Sequence, residues 1–191
     1  MTAQSDTLPA LSQAFRDAFR CHPAGVAVIT ADPGDNPVAM TVSSLISVSA
    51  DPPTVAFSLS ARSGAAAAVL AAETMVIHLM RYGDLDLALL GATPGADRFG
   101  GAVPWARLPT GEPRYTNVAT WFRARNTGTL AVPGASVVTA ELLDGDCGTP
   151  PGAPELESLI YLDRRWHRLR ETADGAASLT PMDADYRDVF R

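Results

Sequence analysis

VAMTVSSLISVSADPPTVAFSLS, residues 38–60, is the stretch of sequence that decides the fold. Apolar, β-branched runs within it are typical of β-strands, and one further run precedes it. The four predicted strands are 26–30, 38–44, 45–49 and 54–59. They fall within about 35 residues, which is too few for the crossover helices that parallel strands require. The sequence therefore predicts an antiparallel sheet, with chain breaks at residues 32–36 and 51–53.

The rest of the chain adds short elements of both kinds. Apolar or alternating patterns predict four more strands, at 75–80, 117–125, 136–143 and 158–162. Helical spacing or high helix propensity predicts three short helices, at 8–19, 65–72 and 85–90. The Gly-, Pro- and Asp-rich residues 144–154 are typical of a surface loop. This order of elements favours one mainly β domain with short α-helices, built as a closed or split antiparallel β-barrel.

Composition excludes several classes of function. The chain has 191 residues, is 47% apolar, carries a net charge of −6, and contains arginine as its only basic residue besides histidine. The absence of lysine rules out a Schiff-base lysine and a P-loop. The net negative charge argues against a nucleic-acid partner. A polar N-terminus and the lack of a long apolar run predict no membrane segment and a cytoplasmic protein.

Common catalytic and metal motifs are missing from the sequence. Cys21 and Cys147 lie far apart, and the three histidines show no metal-ligand spacing. No G-x-S-x-G nucleophile elbow and no G-x-G-x-x-G dinucleotide fingerprint occurs. Zinc sites, dithiol redox chemistry, serine hydrolysis and a Rossmann cofactor site are therefore unsupported.

Two polar segments are the candidate sites. Residues 40–44 place three hydroxyls at the end of a predicted strand, and residues 58–63 lead into a predicted helix N-terminus, where N–H groups, a hydroxyl and a guanidinium suit a phosphate. Each segment has a plainer explanation, namely a water-facing edge strand and an ordinary N-cap with a solvated arginine. Spacing alone leaves both interpretations open.

Taken together, the motifs resemble the flavin reductase family, whose members have the FMN-binding split barrel. The resemblance covers residues 15–169. Its motifs, in order, are Phe15-Arg16, PAGVAVIT at 23–30, MTVSS at 40–44, SVSADPP at 47–53, Asp97-Arg98-Phe99 with Trp105, and Leu159-Ile160-Tyr161 before Trp166 and Leu169. The combination at these separations is far more specific than any one motif.

The resemblance implies a function and a site. It implies a flavin reductase that transfers a hydride from NADH or NADPH to FMN, with FAD as an alternative flavin, and supplies reduced flavin to a separate monooxygenase. It also implies a homodimer, and it assigns no nucleophile or acid–base residue. The cofactor-binding residues expected from it are Met40, Thr41, Val42, Ser43, Ser44, Ser58, Leu59, Ser60, Arg62, Ser63, His78, Arg98 and Phe99.

The sequence departs from the family pattern at three places. The family's phosphate-binding Ser-x-Thr is Ser63-Gly64-Ala65 here, and a usual Asn is His78. The family's Gly-Asp-His, whose histidine lies on the nicotinamide side of the flavin, aligns with Pro133-Gly134-Ala135. We expect that gap to be open or filled by His78 or Trp121. Two alternatives to a reductase follow: an FMN-binding flavoprotein without efficient turnover, and an enzyme that uses bound FMN on its own substrate.

The domain is expected to span residues 8–170, followed by a linker and C-terminal tail at 171–191. Apolar residues spaced three or four apart in the tail, from Leu179 to Phe190, predict a helix there. That helix would either pack on a partner subunit or fray at the surface.

Overall fold

The computed structural model describes residues 7–61, 63–148, 157–171 and 177–181, which are mainly β with three short helices. The helices are α1 (Thr7–Arg20), α2 (Gly64–Ala71) and α3 (Leu85–Ala92), with a 3₁₀ turn at Tyr82–Asp84. The strands are β1 (Ala24–Gly25), β2 (Ala27–Ala31), β3 (Val38–Val42), β4 (Ile46–Ala50), β5 (Pro53–Ser60), β6 (Thr74–Leu79), β7 (Trp105–Arg107), β8 (Pro113–Tyr115), β9 (Thr120–Val132), β10 (Ala135–Cys147), β11 (Ser158–Leu162), β12 (Arg165–Glu171) and β13 (Ala177–Pro181). None of the helices in these ranges is long and apolar enough to cross a membrane.

All strand pairs in the three sheets are antiparallel, as the sequence predicts. The main sheet has seven strands in the order β3-β2-β6-β9-β10-β5-β4. A second sheet has the order β1-β11-β12-β13, and β7 pairs with β8 alone. Strands β3 and β4 are consecutive in the chain, but they form opposite edges of the main sheet.

The short connection between these two edges forces the main sheet to curl. In a flat sheet with strands about 4.8 Å apart, seven strands would separate the edges by about 29 Å. The four peptide steps from Val42 to Ile46 can reach about 14 Å at most. The sheet therefore bends round until its edges meet at residues 43–45, which makes an antiparallel split β-barrel.

The curled sheet separates two apolar cores. The barrel core lies inside the sheet, beneath α2; its larger buried members are Ile29, Met40, Val42, Phe57, Leu59, Met75, Ile77 and Val138. The outer core lies between the outside of β2 and β3, helix α3 and the second sheet; its members include Val28, Ala39, Leu85, Tyr115, Leu159 and Trp166. Alternation along β3 sends Met40 and Val42 into one core and Ala39 into the other.

Helix α3 approaches β3 closely at a glycine. A Cβ added to Gly91 would lie 2.5 Å from the hydroxyl of Thr41 and 3.2 Å from its backbone nitrogen. The same hydroxyl donates a hydrogen bond to the carbonyl of Ala88 at 2.6 Å. Gly91 therefore permits the contact that holds α3 on the outside of the barrel.

Five ion pairs join described residues, and each of them uses an arginine. They are Arg20–Asp163, Arg107–Asp32, Arg123–Glu112, Arg125–Glu141 and Arg168–Glu157. Two of the carboxylates are buried, because the side chains of Asp32 and Glu112 are 3% and 5% exposed. Burial alone would raise the pKa of Asp32, but hydrogen bonds from Arg107 and from the N–H groups of Gly34 and Asn36 outweigh it and lower the pKa.

The structure corrects the sequence prediction at both ends of the β9–β10 hairpin and in the tail. Residues 144–147, predicted as loop, continue β10 and pair with the start of β9, while residues 149–156 lie outside the described ranges. At the turn end of the hairpin, β9 runs to Val132, beyond the predicted limit of 125, and it begins at Thr120 instead of 117. Strands β1, β7, β8, β12 and β13 are absent from the sequence prediction. Leu179 lies in β13, so the predicted tail helix does not begin there; residues 182–191 lie outside the described ranges.

Candidate functional site

The connection between β3 and β4 supplies the first part of the site. The register pairs Ile46 with Ala56, so a continued β4 would place Ser44 opposite Ser58. Instead, the Ser44 hydroxyl accepts the Ser58 N–H at 2.9 Å and donates to the Ser58 carbonyl at 3.1 Å. The Ser44 hydroxyl thus takes the hydrogen bonds that the backbone of a continued β4 would make with Ser58. The peptide groups of residues 43–45 take no part in the pairing of β3 with β2 or of β4 with β5, so they can bind the polar edge of a ligand.

The junction of β5 and α2 supplies the second part. The N–H of Ser63 donates to the carbonyl of Ser60 at 3.1 Å, and that of Ala61 donates to the carbonyl of Gly134 at 3.1 Å. Ser63 is the N-cap of α2 and has extended backbone angles, but its hydroxyl makes no capping hydrogen bond. The hydroxyl and the first N–H groups of α2 together suit an anion. Arg62, predicted to reach the same anion, lies outside the described residues.

Strand β10 adds a third part that the sequence located only through its departure from the family. Ala135 lies directly opposite Ser60 of β5 on one side and Val132 of β9 on the other. The tight turn before it depends on Gly134, whose φ of 84° disfavours other residues. The methyl group of Ala135 therefore lies beside the predicted cofactor segment 58–60.

Neither side chain proposed to fill the space beside Ala135 is near it, so that expectation is wrong. Trp121 is eleven residues before Val132 on β9, a separation of about 36 Å along the strand. Its ring instead supports the guanidinium of Arg114, 4.3 Å from the ring centroid. His78 pairs with Trp121 at that same distant end of the sheet.

His78 occupies a structural position in the outer core. Its side chain is fully buried, with Nδ1 3.1 Å from the carbonyl of Val28 and Nε2 3.0 Å from the N–H of Tyr115. These partners require a neutral ring that donates from Nδ1 and accepts at Nε2. Burial lowers the pKa of His78 to about 4. The geometry favours a role in joining β2, β6 and β8 over the predicted cofactor contact.

The remaining predicted residues divide between core and surface loops. The side chains of Met40, Val42 and Leu59 lie in the barrel core, and the Thr41 hydroxyl is held by α3, so cofactor contacts from these four would come from backbone atoms. Arg98 donates to the carbonyls of Thr93 and Ala96.

Phe99 packs against Tyr115 and Trp105 with ring centroids 5.7 and 5.0 Å apart. Arg98 is therefore held at the C-terminal end of α3, and Phe99 packs against the outer core. The structure thus brings Ser44, Ser58, Ser60, Ser63 and Ala135 together, and it leaves His78, Arg98 and Phe99 on the side of α3. Among the described residues no cluster of His, Cys, Asp or Glu could hold a metal ion.

Comparison with known proteins agrees with this geometry. The family model described as "Flavin reductase like domain" matches residues 19–170. The chain is 41% identical over 161 residues to an NADH:FMN oxidoreductase of Rhodococcus qingshengii, covering 81% of this chain and 80% of that protein.

Two further relatives support the same grouping. An FMN reductase (NADH), RutF, of Ancylobacter novellus is 32% identical over 170 residues, covering 87% of this chain and 91% of that one. The crystal structure of a flavin reductase domain protein from Arthrobacter sp. FB24 superposes with a TM-score of 0.73 at 26% identity, covering 91% and 99% of the two chains.

The buried imidazole predicts acid sensitivity. The unfolded chain protonates this ring below about pH 6.5 and the folded chain only below about pH 4, so the free energy of unfolding falls as the pH drops between these values. The loss attributable to His78 is about 3 kcal/mol. In His78→Asn, which retains one donor and one acceptor, urea unfolding at pH 7 to 4 should show a flatter profile. The exposed His22, changed to Asn, is the control and should leave the profile unaltered; equal slopes in wild type and His78→Asn would contradict the assignment.

Proposed function

Because the chain belongs to the flavin reductase like domain family, we propose that it is an NAD(P)H-dependent flavin reductase that reduces FMN and supplies the reduced flavin to a separate monooxygenase. The observation that carries the proposal is the meeting of three segments at one end of the barrel: residues 43–45, residues 58–61 with Ser63, and Ala135. Ser43 and Ser44 belong to the family's MTVSS motif, and Ala135 stands where the family carries histidine. Hydrogen bonds join Ser44 to Ser58, and strand pairing places Ala135 opposite Ser60.

The polar groups at this end of the barrel fit FMN. The uncapped start of α2, with the Ser63 hydroxyl and the N–H groups of Gly64 and Ala65, suits the phosphate dianion. Arg62 is proposed to add its charge there. The peptide groups of residues 43–45 and the hydroxyls of Ser58 and Ser60 suit the polar edge of the ring system and the ribityl chain.

In the proposed reaction, the residues of this chain bind and orient the flavin and the nicotinamide nucleotide. Bound FMN supplies the acceptor for the hydride carried by the reduced nicotinamide. This chemistry needs two rings held face to face and no protein nucleophile. Residues 43–45 and 58–60 would fix the flavin plane, and Ala135 would border the space that the nicotinamide enters.

We further propose a homodimer that acts in the cytoplasm, where reduced nicotinamide nucleotides are available. The family pattern supports a dimer, and closed two-fold symmetry is the commonest arrangement for an oligomer. The link to the monooxygenase is proposed to be the diffusing reduced flavin itself, so no stable complex with the oxygenase is required.

One observation favours a second function, an FMN-binding flavoprotein with little reductase turnover. The position that carries histidine in the family is Ala135, and neither His78 nor Trp121 replaces the missing ring. A bound flavin would then be held by the same segments without efficient exchange with the nicotinamide nucleotide.

The two functions differ in a direct assay. Purified protein should oxidise NADH or NADPH when FMN is added, with turnover well above the uncatalysed rate, and FAD and riboflavin should be compared in the same experiment. Stoichiometric flavin that copurifies with the protein, without turnover, would support the second function. Absence of both turnover and flavin binding would overturn both.

Ser63→Ala tests the phosphate site. Removing this hydroxyl should weaken FMN binding by about 10- to 150-fold, equivalent to one lost hydrogen bond to a charged group. Riboflavin has no phosphate, so its affinity should not change. Both affinities can be measured by quenching of flavin fluorescence, with Ser47→Ala, at an exposed position of strand β4, as the matched control. A parallel loss for both flavins would place Ser63 away from the phosphate.

Ala135→His tests the nicotinamide side. An imidazole restored opposite Ser60 should raise kcat/KM for the reduced nicotinamide by about 5- to 30-fold and leave FMN affinity within a few-fold. Ala131→His is the control, because Ala131 is exposed and its side chain points to the other face of the hairpin from Val132. An equal effect of both variants, or none from either, would show that Ala135 does not border the nicotinamide.

A further inference from the structure

Helix α1 carries an apolar stripe that no described part of its own chain covers. Leu11, Phe15 and Phe19 recur every four residues and are 66%, 58% and 59% exposed. Every side chain from Ala10 to His22 is exposed. The rings of Phe15 and Phe19 contact each other, with centroids 4.5 Å apart. A 14-residue helix is marginal in water on its own, so its stability requires packing of this face.

The C-terminal end of α1 is fixed to the turn between β11 and β12. The N–H of Asp163 donates to the carbonyl of Arg20 at 2.8 Å, and the two side chains form an ion pair at 2.8 Å. The N–H groups of Cys21 and His22 bond back to Ala18 and Phe19, so the last turn is closed. Only residues 21–23 separate α1 from β1, while the side chains from Ala10 to His22 stay exposed.

Among the described residues, a second set of exposed apolar side chains lies on the outer face of the main sheet. Ile46 and Leu130 are 60% and 64% exposed. The strand register places both side chains on the same face of the sheet. A row of cross-strand neighbours runs from Ile46 through Ala56 and Thr139 to Gly128. Leu130 lies two residues after Gly128 on β9, opposite Val137, so small residues separate the two large side chains. We name this surface, Ile46, Ala56, Thr139, Gly128, Val137 and Leu130, the outer groove; its floor of small side chains between two large ones can accept a helix.

We infer that the apolar face of α1 packs in the outer groove of a second copy of this chain, and that the two copies exchange their helices reciprocally. The inference rests on the homodimer of the proposed function and specifies its interface. A reciprocal exchange obeys two-fold symmetry, so each copy buries the apolar face of the other copy's α1 in its own outer groove. The result is a closed dimer that cannot extend into a filament.

The area of the contact supports a second copy as the occupant. Three side chains with about 60% exposure offer roughly 100 Å² each, and with a matching area in the groove and two symmetric contacts the total is about 1,200 Å². This reaches the lower bound for a specific interface.

Cross-linking between two distinguishable chains tests the inference. In a background of Cys21→Ser and Cys147→Ser, one chain carries Phe15→Cys and a second, of different mass through a tag, carries Leu130→Cys. After mixing and treatment with a short bismaleimide, the expected product is a covalent pair containing one chain of each mass. Gln13→Cys, on the opposite face of α1, is the matched control and should give no such pair with Leu130→Cys.

A second experiment measures the dimer dissociation constant and checks by circular dichroism that the variant is folded. Phe15→Ser with Phe19→Ser changes only exposed side chains, so circular dichroism of the barrel should be retained while the dimer dissociation constant from sedimentation rises at least about 100-fold. Gln13→Ala should leave the constant unchanged.

The other outcomes overturn the inference in different ways. A Phe15→Cys chain that cross-links to itself would show helix-to-helix pairing instead. A dimer that forms without the Phe15–Leu130 product would leave the homodimer standing and remove the exchanged helix. A monomer in sedimentation would remove both. Val137 lies opposite Ser58, so the outer groove borders the proposed flavin segment. The flavin reductase assay on the wild-type protein decides the catalytic proposal, and the cross-linking pattern decides the helix exchange.

Discussion

The three residues that join β3 to β4 are the constraint on which the rest of the structure depends. They link the two edges of a seven-stranded sheet, so the sheet must curl until those edges meet. Curling creates an inside, filled by the barrel core, and an outside, of which α3 and the second sheet cover the part formed by β2 and β3. Residues 43–45 also close the gap between the edges with a side chain, through the hydroxyl of Ser44 on the backbone of Ser58. The peptide groups of residues 43–45 are therefore unused by the sheet at the place proposed to bind the flavin.

The functional end of the barrel is assembled from parts that are distant in sequence and adjacent only because of strand order. Strand β10 pairs on one side with β5, which leads into α2, and on the other with β9. Any residue at the start of β10 therefore borders the segment proposed to hold the flavin. In the proposed site, Ala135 would border the nicotinamide without touching the phosphate. It also explains why the fold tolerates change there, because the turn depends on Gly134 and not on its neighbour.

Local patterns predicted the strands of residues 26–60, because β-branched runs bounded by turn residues report backbone preference directly. They underestimated β9 and β10, whose outer halves carry Gly, Thr and Asp and are held by pairing with each other. They missed β13, which exists only because β12 offers a partner. At the site, the sequence identified the polar segments through the family motifs. It could not show that His78 faces a core, since its hydrogen-bond partners Val28 and Tyr115 lie on strands 50 and 37 residues away, respectively.

The exclusive use of arginine in the ion pairs has a consequence for alkaline conditions. A buried carboxylate that loses its cation becomes an isolated charge in a poorly polarisable interior, which is among the most destabilising states a folded protein can reach. A lysine partner can reach that state by giving up its proton, whereas a guanidinium holds its proton in any solution in which the chain remains intact. Asp32 and Glu112, the two buried carboxylates among these pairs, are matched by Arg107 and Arg123. Raising the pH therefore leaves both carboxylates paired with a cation. For these two ion pairs and the His78 imidazole, only acid lowers the free energy of unfolding.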